Sequence, residues 1–285
     1  MDLGLNGKTA VIVGGSQGIG FATAKQFLEE GCNIAICART EETLKAAADE
    51  LSRFGTVYYE VVDATKDEPL YQFAEHVYQK FGRIDCWVNN VGKQVVKQGM
   101  EFTEADVDWI TGMCFKSAIF GSQAAFRYMR RQDSGGAIIN ISSLAARCPS
   151  AGRSSLYGPL KAAIVNLSTC LAGEYAAWGV RVCAVLPGFT ATKTALSRNS
   201  PDRLRYAMGE TLLQRLGTPE EVANAIVFLA SSRASYITAT ALDVTGGRAV
   251  TLNPRYSVML RADEEGTAFE DPTGAYNASH ERMKS

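Results

Sequence analysis

Only two histidines are present, His76 and His280, and seven scattered cysteines (Cys32, Cys37, Cys86, Cys114, Cys148, Cys170, Cys183) form no Cys-x-x-Cys pair. Neither set has metal-ligand spacing, so no metal is expected. The odd cysteine count argues against a disulfide framework and for a reduced, cytoplasmic setting. An excess of charge is also missing. The formal net charge is −1, which leaves no global field to draw the chain to nucleic acid or anionic lipid, and neither partner is expected. No apolar run approaches the ~20 residues that span a bilayer. Residues 1–8 lack the basic, apolar and small-residue pattern of a signal peptide. Without secretory context the sequon Asn277-Ala278-Ser279 reads as chance.

What is there is a long alternation. Thr9-Ala10-Val11-Ile12-Val13 is a short apolar run ending in glycines, followed by helical spacing over 21–30. Strand-like runs at 33–38, 57–62, 84–88, 137–141 and 180–186 alternate with helical patterns at 41–53, 68–81, 103–131 and 155–178. Thr218-Pro219-Glu220-Glu221 has the form of a helix start, predicting a helix over 219–230, and 241–244 makes a last strand. Strands alternating with long helices imply right-handed crossovers, hence an α/β fold with a doubly wound parallel sheet and helices on both faces. No repeat or linker interrupts residues 1–250, read as one dinucleotide-binding and catalytic domain. Residues 251–285 turn polar and read as an extension, with Tyr256, Val258, Met259 and Leu260 as its apolar anchor.

Three segments carry chemistry. Gly14-Gly15-Ser16-Gln17-Gly18-Ile19-Gly20 lies between the first strand and its helix, where backbone amides and the helix N-terminus can meet a phosphate that a Cβ would obstruct. At the end of the second strand, where an NAD-binding fold places an acid for the ribose 2′-hydroxyl, stand Ala38 and Arg39. No carboxylate repels a 2′-phosphate there and a guanidinium can pair with it, which points to NADP(H) over NAD(H). The plainer alternative is a solvated Arg39 opening the loop. Tyr157-Gly158-Pro159-Leu160-Lys161 sets an ammonium one helical turn after a phenol, whose unperturbed pKa of ~10 makes it a poor base without help.

Together with Asp63 and Ala64 after the third strand, Asn89-Asn90-Val91-Gly92 after the fourth, Ser142-Ser143 after the fifth, Pro187-Gly188-Phe189-Thr190-Ala191-Thr192 after the sixth and Asp243-Val244-Thr245-Gly246-Gly247 at the close, the pattern resembles the short-chain dehydrogenase/reductase family. The resemblance implies Tyr157 as general acid in carbonyl reduction and base in alcohol oxidation, Lys161 as the group that lowers its pKa and holds the nicotinamide ribose, and Ser143 as hydrogen-bond donor to the substrate oxygen, with Ser142 its neighbouring competitor. It implies a cofactor contact at the glycine turn, Arg39, Asp63, Ala64, Asn90, Gly92, Pro187, Gly188, Thr190 and Thr192, and a homotetramer or homodimer.

Three positions depart from the pattern. Cys114 stands at the helix-borne asparagine that supports a proton relay from the lysine, and a thiol is a poor donor, so the relay is rebuilt or weakened. Cys183 replaces an asparagine in the sixth strand and reads as packing; Pro159 falls near a helix start, where a missing N–H is tolerable. The wider Ser143-to-Tyr157 spacing suggests a small insertion within 145–154. Lys193, Arg198, Arg203, Arg205 and Arg215, with Lys93, Lys97, Arg147 and Arg153, leave open an anionic or acyl-thioester substrate, against a reading as solvated surface. The expected function is NADP(H)-dependent interconversion of a small-molecule ketone and a secondary alcohol; the alternative is a catalytically impaired nucleotide-binding subunit.

Overall fold

A computed structural model describes residues 2–149, 155–248, 250 and 253–267. Strand β1 (Thr9–Val13) is buried at every position, as a strand covered on both faces requires. It is followed by α1 (Gly18–Glu29), β2 (Asn33–Ala38), α2 (Glu41–Leu51), β3 (Val57–Val61), α3 (Asp67–Phe81), β4 (Cys86–Asn89), α4 (Glu104–Thr111), α5 (Ser117–Met129), β5 (Gly136–Ile141), α6 (Tyr157–Tyr175), β6 (Val180–Pro187), α7 (Lys193–Arg198), α8 (Pro201–Gly209), α9 (Pro219–Ala230), β7 (Ala241–Val244) and α10 (Tyr256–Glu265). The strands form one seven-stranded sheet in the order β3-β2-β1-β4-β5-β6-β7, and the pairings from β3 to β6 are parallel. Order reverses between β1 and β4, which opens a crevice at the C-terminal ends of those strands. The doubly wound α/β fold expected from the alternation is the observed one.

The chain packs as two units: one runs through Pro187 and takes in Pro219–Asp243, the other comprises Gly188–Thr218 and the chain from Val244 onward. In the first, Val11, Ala35, Phe73, Trp87 and Ile138 belong to one fully buried core on a face of the sheet. In the second, Thr190 bridges Gly217, Thr192 caps α7 by accepting from the Ala195 amide at 3.1 Å, and Ser200 caps α8 ahead of Pro201.

Three elements differ from those expected. The pattern over 103–131 is not one α-helix: Gly112–Lys116 forms a π-turn between α4 and α5, and just past it the Ser117 hydroxyl donates to the Met113 carbonyl at 2.8 Å. Helix α1 begins at Gly18, so Gly18, Ile19 and Gly20 of the glycine-rich segment belong to its first turn and not to the loop before it. Within the extension, read as having little periodicity, Tyr256–Glu265 is helical; of the expected anchors Val258 and Met259 are half-buried while Tyr256 and Leu260 are exposed, and Ala262 is its fully buried position. The sequon at Asn277, His280, Arg153 and part of the suspected insertion lie outside the described residues.

Candidate active site

The chain leaves β1 through Gly14, whose φ of +85° is the left-handed conformation that favours glycine, and its amide donates to the Cys37 carbonyl at 2.8 Å. Half-buried Ser16 and exposed Gln17 then lead into α1. Gln17 caps the helix with no side-chain hydrogen bond, and no acid stands in the first turn. The amides around Gly18, Ile19 and Gly20 therefore remain for an external anion, reinforced by the positive end of the helix. Asn90 serves this turn: its Nδ2 donates to the Gly14 carbonyl at 2.9 Å and fixes the loop.

Around the turn stand the other residues expected at a dinucleotide. Arg39, exposed beyond the end of β2, makes no ion pair among the described residues. Asp63 accepts from the Thr65 amide (3.0 Å) and hydroxyl (2.8 Å) through Oδ1 alone, which leaves Oδ2 for a further donor; Ala64 beside it is buried. Bare helix amides, an unpaired guanidinium and a half-engaged carboxylate make a donor and acceptor set that fits a phosphorylated dinucleotide.

At the end of β5 the two serines part ways. Ser142 is buried and its Oγ donates to the Lys161 carbonyl at 2.7 Å, an anchor for α6. Ser143 instead heads the 3₁₀ turn Leu144–Ala146, its Oγ accepting from the Ala145 amide at 3.1 Å. With that lone pair engaged, the hydroxyl proton is left to be donated, and Tyr157 is the group it meets in the resting site.

Helix α6 opens with Tyr157, and Pro159 sits in its first turn, where the amide would have no intrahelical partner. One turn on, Lys161 is only 2 % exposed; its Nζ donates to the Ile141 carbonyl at 2.8 Å and lies 5.6 Å from the centre of the Tyr157 ring. Burial lowers the Lys161 pKa, an effect the Cys114 sulfur partly opposes. The Tyr157 phenol is pushed up to about 12, by burial first and Cys114 second, while a hydrogen bond with the Ser143 side chain pulls it the other way. Cys114 itself lies in the π-turn, fully buried, its thiol donating to the Lys93 carbonyl at 3.4 Å. Gly92 closes the group: a Cβ there would stand 2.9 Å from Lys161 Nζ and 3.9 Å from Cys114 Sγ.

The structure thus brings Ser143, Tyr157, Lys161, Cys114 and Gly92 together, and gathers the glycine turn, Arg39, Asp63 and Asn90 at neighbouring strand ends. Pro187 ends β6, whereas Gly188, Thr190 and Thr192 belong to the second unit; Gly188 packs on Thr245, and Thr190 Oγ1 donates to the Gly188 carbonyl at 3.3 Å. Two basic residues considered for an anionic substrate are engaged: Arg147 pairs with Asp243 at 2.7 Å and Lys97 with Asp106 at 2.6 Å. Sequence reasoning missed the carbonyls of Ile141 and Lys93, because a backbone acceptor has no residue-type signal. Among the described residues no helix is long and apolar enough to cross a membrane.

Residues 13–249 match the family described as enoyl-(acyl carrier protein) reductase. A 3β-hydroxysteroid dehydrogenase of Eggerthella lenta is 34 % identical over 250 residues, covering 85 % of this chain and 95 % of that protein. A 3-oxoacyl-(acyl-carrier-protein) reductase of Chlamydia muridarum is 36 % identical over 245 residues, covering 85 % and 97 %. Among solved structures, the L-sorbose reductase of Gluconobacter frateurii, complexed with NADPH and L-sorbose, superposes with a TM-score of 0.83 at 32 % identity, covering 88 % of this chain and all of that one.

Proposed function

The chain belongs to the short-chain dehydrogenase/reductase family, oxidoreductases acting on CH–OH and C=O groups, and on that premise we propose that it is NADP(H)-dependent and interconverts a ketone and a secondary alcohol with Tyr157 as proton donor and acceptor. One observation carries this reading: the Ser143 hydroxyl, its lone pair held by the Ala145 amide, stands beside a phenol that burial keeps protonated. The two hydroxyls stand together, so a carbonyl oxygen entering beside them would meet two donors, which is what an oxygen gathering charge requires.

In the reductive direction Ser143 orients the substrate oxygen and Tyr157 gives up its proton. A phenol held near pKa 12 is fully protonated at neutral pH, so the resting site is set for reduction. As the phenolate forms, the buried Lys161 ammonium, 5.6 Å from the ring, stabilises it. A nicotinamide held in this cleft would supply the hydride. Arg39 supports the choice of NADP(H), since nothing else described competes for its guanidinium.

The relatives' names cover steroid, acyl-thioester and sugar chemistry, so the substrate is a small carbonyl compound of one of these kinds. We place the protein in the reduced cytoplasm as a homodimer or homotetramer. Cys114 supports a second reading, a nucleotide-binding subunit impaired in turnover, because its thiol proton is spent on the Lys93 carbonyl. The deciding experiment is NADPH and NADH oxidation over 3-oxoacyl thioesters, oxosteroids and keto sugars. Turnover of at least one with NADPH preferred is the expected result. Strong preference for NADH would refute the role of Arg39, and cofactor binding without any turnover would select the impaired subunit.

A further inference from the structure

One layer beneath the proposed site, two strands and two helices share a buried polar network. Asn89 ends β4 and lies opposite Asn140 of β5 in the parallel register; both are buried. Asn89 Nδ2 donates to Asn140 Oδ1 at 2.8 Å and to Ser122 Oγ of α5 at 3.1 Å, with the Ala118 carbonyl at 3.3 Å sharing its second proton, while its Oδ1 accepts from Trp87 Nε1 at 2.8 Å. Asn140 Nδ2 donates to Ser168 Oγ of α6 at 3.0 Å, and that hydroxyl donates onward to the Ile164 carbonyl at 2.8 Å. Gly121 makes the room, because a Cβ there would collide with Asn89 Oδ1.

Burying amides and hydroxyls is costly unless every one is paired, and here each is. Apolar side chains of the same shape would hold the layers together without that cost. Dispersion, however, is non-directional and lets a helix slide along a sheet, whereas hydrogen bonds fix its height and rotation. Two members adjoin a residue of the site in sequence, and the other two share its helices. Asn89 precedes Asn90, which holds the Gly14 carbonyl; Asn140 precedes Ile141, whose carbonyl takes the Lys161 ammonium. Ser168 follows Lys161 by two turns of α6, and Ser122 follows the Cys114 turn by about two turns.

We propose that Asn89, Asn140, Ser122 and Ser168 are positioning residues: they lock α6 in height against β5 and so place Lys161 Nζ on the Ile141 carbonyl with Tyr157 beside Ser143. This rests on the reading of Tyr157 and Lys161 given above. The variants are Ser168→Ala, which cuts the link to α6; Ser168→Thr, which keeps a hydroxyl; Asn140→Ala; and Val77→Ala, a core truncation in α3 outside the network. Melting temperature, kcat and KM with NADPH, the pH profile of kcat and hydrogen exchange are read on the full chain.

At a comparable loss of melting temperature, Ser168→Ala should lower kcat about tenfold more than Val77→Ala, since small misplacements of reacting groups carry rate penalties of that order or larger. KM for NADPH should stay within about twofold, the pH profile should move, and Ser168→Thr should recover most of the rate. Amide exchange at Ile141 and Ser142 should quicken in Ser168→Ala but not in Val77→Ala. If Ser168→Ala and Asn140→Ala match Val77→Ala in rate, profile and exchange, the network is structural only and the proposal is wrong. If the unaltered chain reduces no ketone, the reading of the site fails, and the exchange comparison alone decides the network.

Discussion

Replacing Arg39 separates recognition of the 2′-phosphate from everything else the cleft does. The residue is exposed and makes no ion pair among the described residues, so Arg39→Ala removes a guanidinium without stranding a carboxylate. In water two unit charges about 4 Å apart attract by ~1 kcal/mol. A phosphate monoester carries nearly two charges, which doubles this to ~2 kcal/mol. Screening over a Debye length of ~8 Å trims it to ~1.2 kcal/mol, or just under tenfold in affinity. NADPH affinity of Arg39→Ala, measured by fluorescence titration, should therefore fall about tenfold, with NADH affinity within about twofold of the unaltered chain. The gap should narrow in ~1 M salt, where the Debye length is ~3 Å. Equal losses for both dinucleotides, or no change for NADPH, would mean that Arg39 is merely solvated.

Other substitutions test the parts of the site in turn. Ser143→Ala should lower kcat about 100-fold with little effect on melting, whereas Ser142→Ala should mainly destabilise, by about 1 kcal/mol, because its hydroxyl anchors α6; steady-state kinetics with thermal melts distinguishes them. Gly92→Ala forces a methyl to 2.9 Å from Lys161 Nζ and should cost about 1–3 kcal/mol by denaturant unfolding together with most of the activity. The raised phenol also has a signature in stability. Unfolded tyrosine loses its proton near pH 10 and folded Tyr157 only near 12, so its contribution is complete below pH 10 and is lost as pH rises to about 12. Between pH 9 and 11 the unaltered chain should lose roughly 1.4 kcal/mol more than Tyr157→Phe in urea titrations; equal losses would mean that the phenol is not raised.

The layer architecture was legible because β1, β2, β5 and β6 are short apolar runs buried on both faces, a signal that survives without knowledge of neighbours. Helix α9 was legible from Pro219 at its first position, and the phenol and lysine from their one-turn spacing. The π-turn was not, because hydrophobic periodicity does not register one extra residue in a turn. Arg147 looked available for a substrate anion, since its partner Asp243 comes close only through folding. Ser142 and Ser143 differ by one residue, so their opposite uses emerge only once β5 has set which hydroxyl faces α6. The pairing of the Asn89 and Asn140 amides was invisible for the same reason: the register that sets them side by side belongs to the sheet.

The most direct test is Tyr157→Phe, a change that removes one oxygen from the site. Ketone reduction with NADPH is measured under single-turnover conditions beside NADPH binding by titration. Loss of the acid should lower the rate by at least about 100-fold, the low end of what general acid catalysis contributes, with NADPH affinity nearly unchanged. A variant that reduces ketone at the unaltered rate would show that the proton comes from elsewhere.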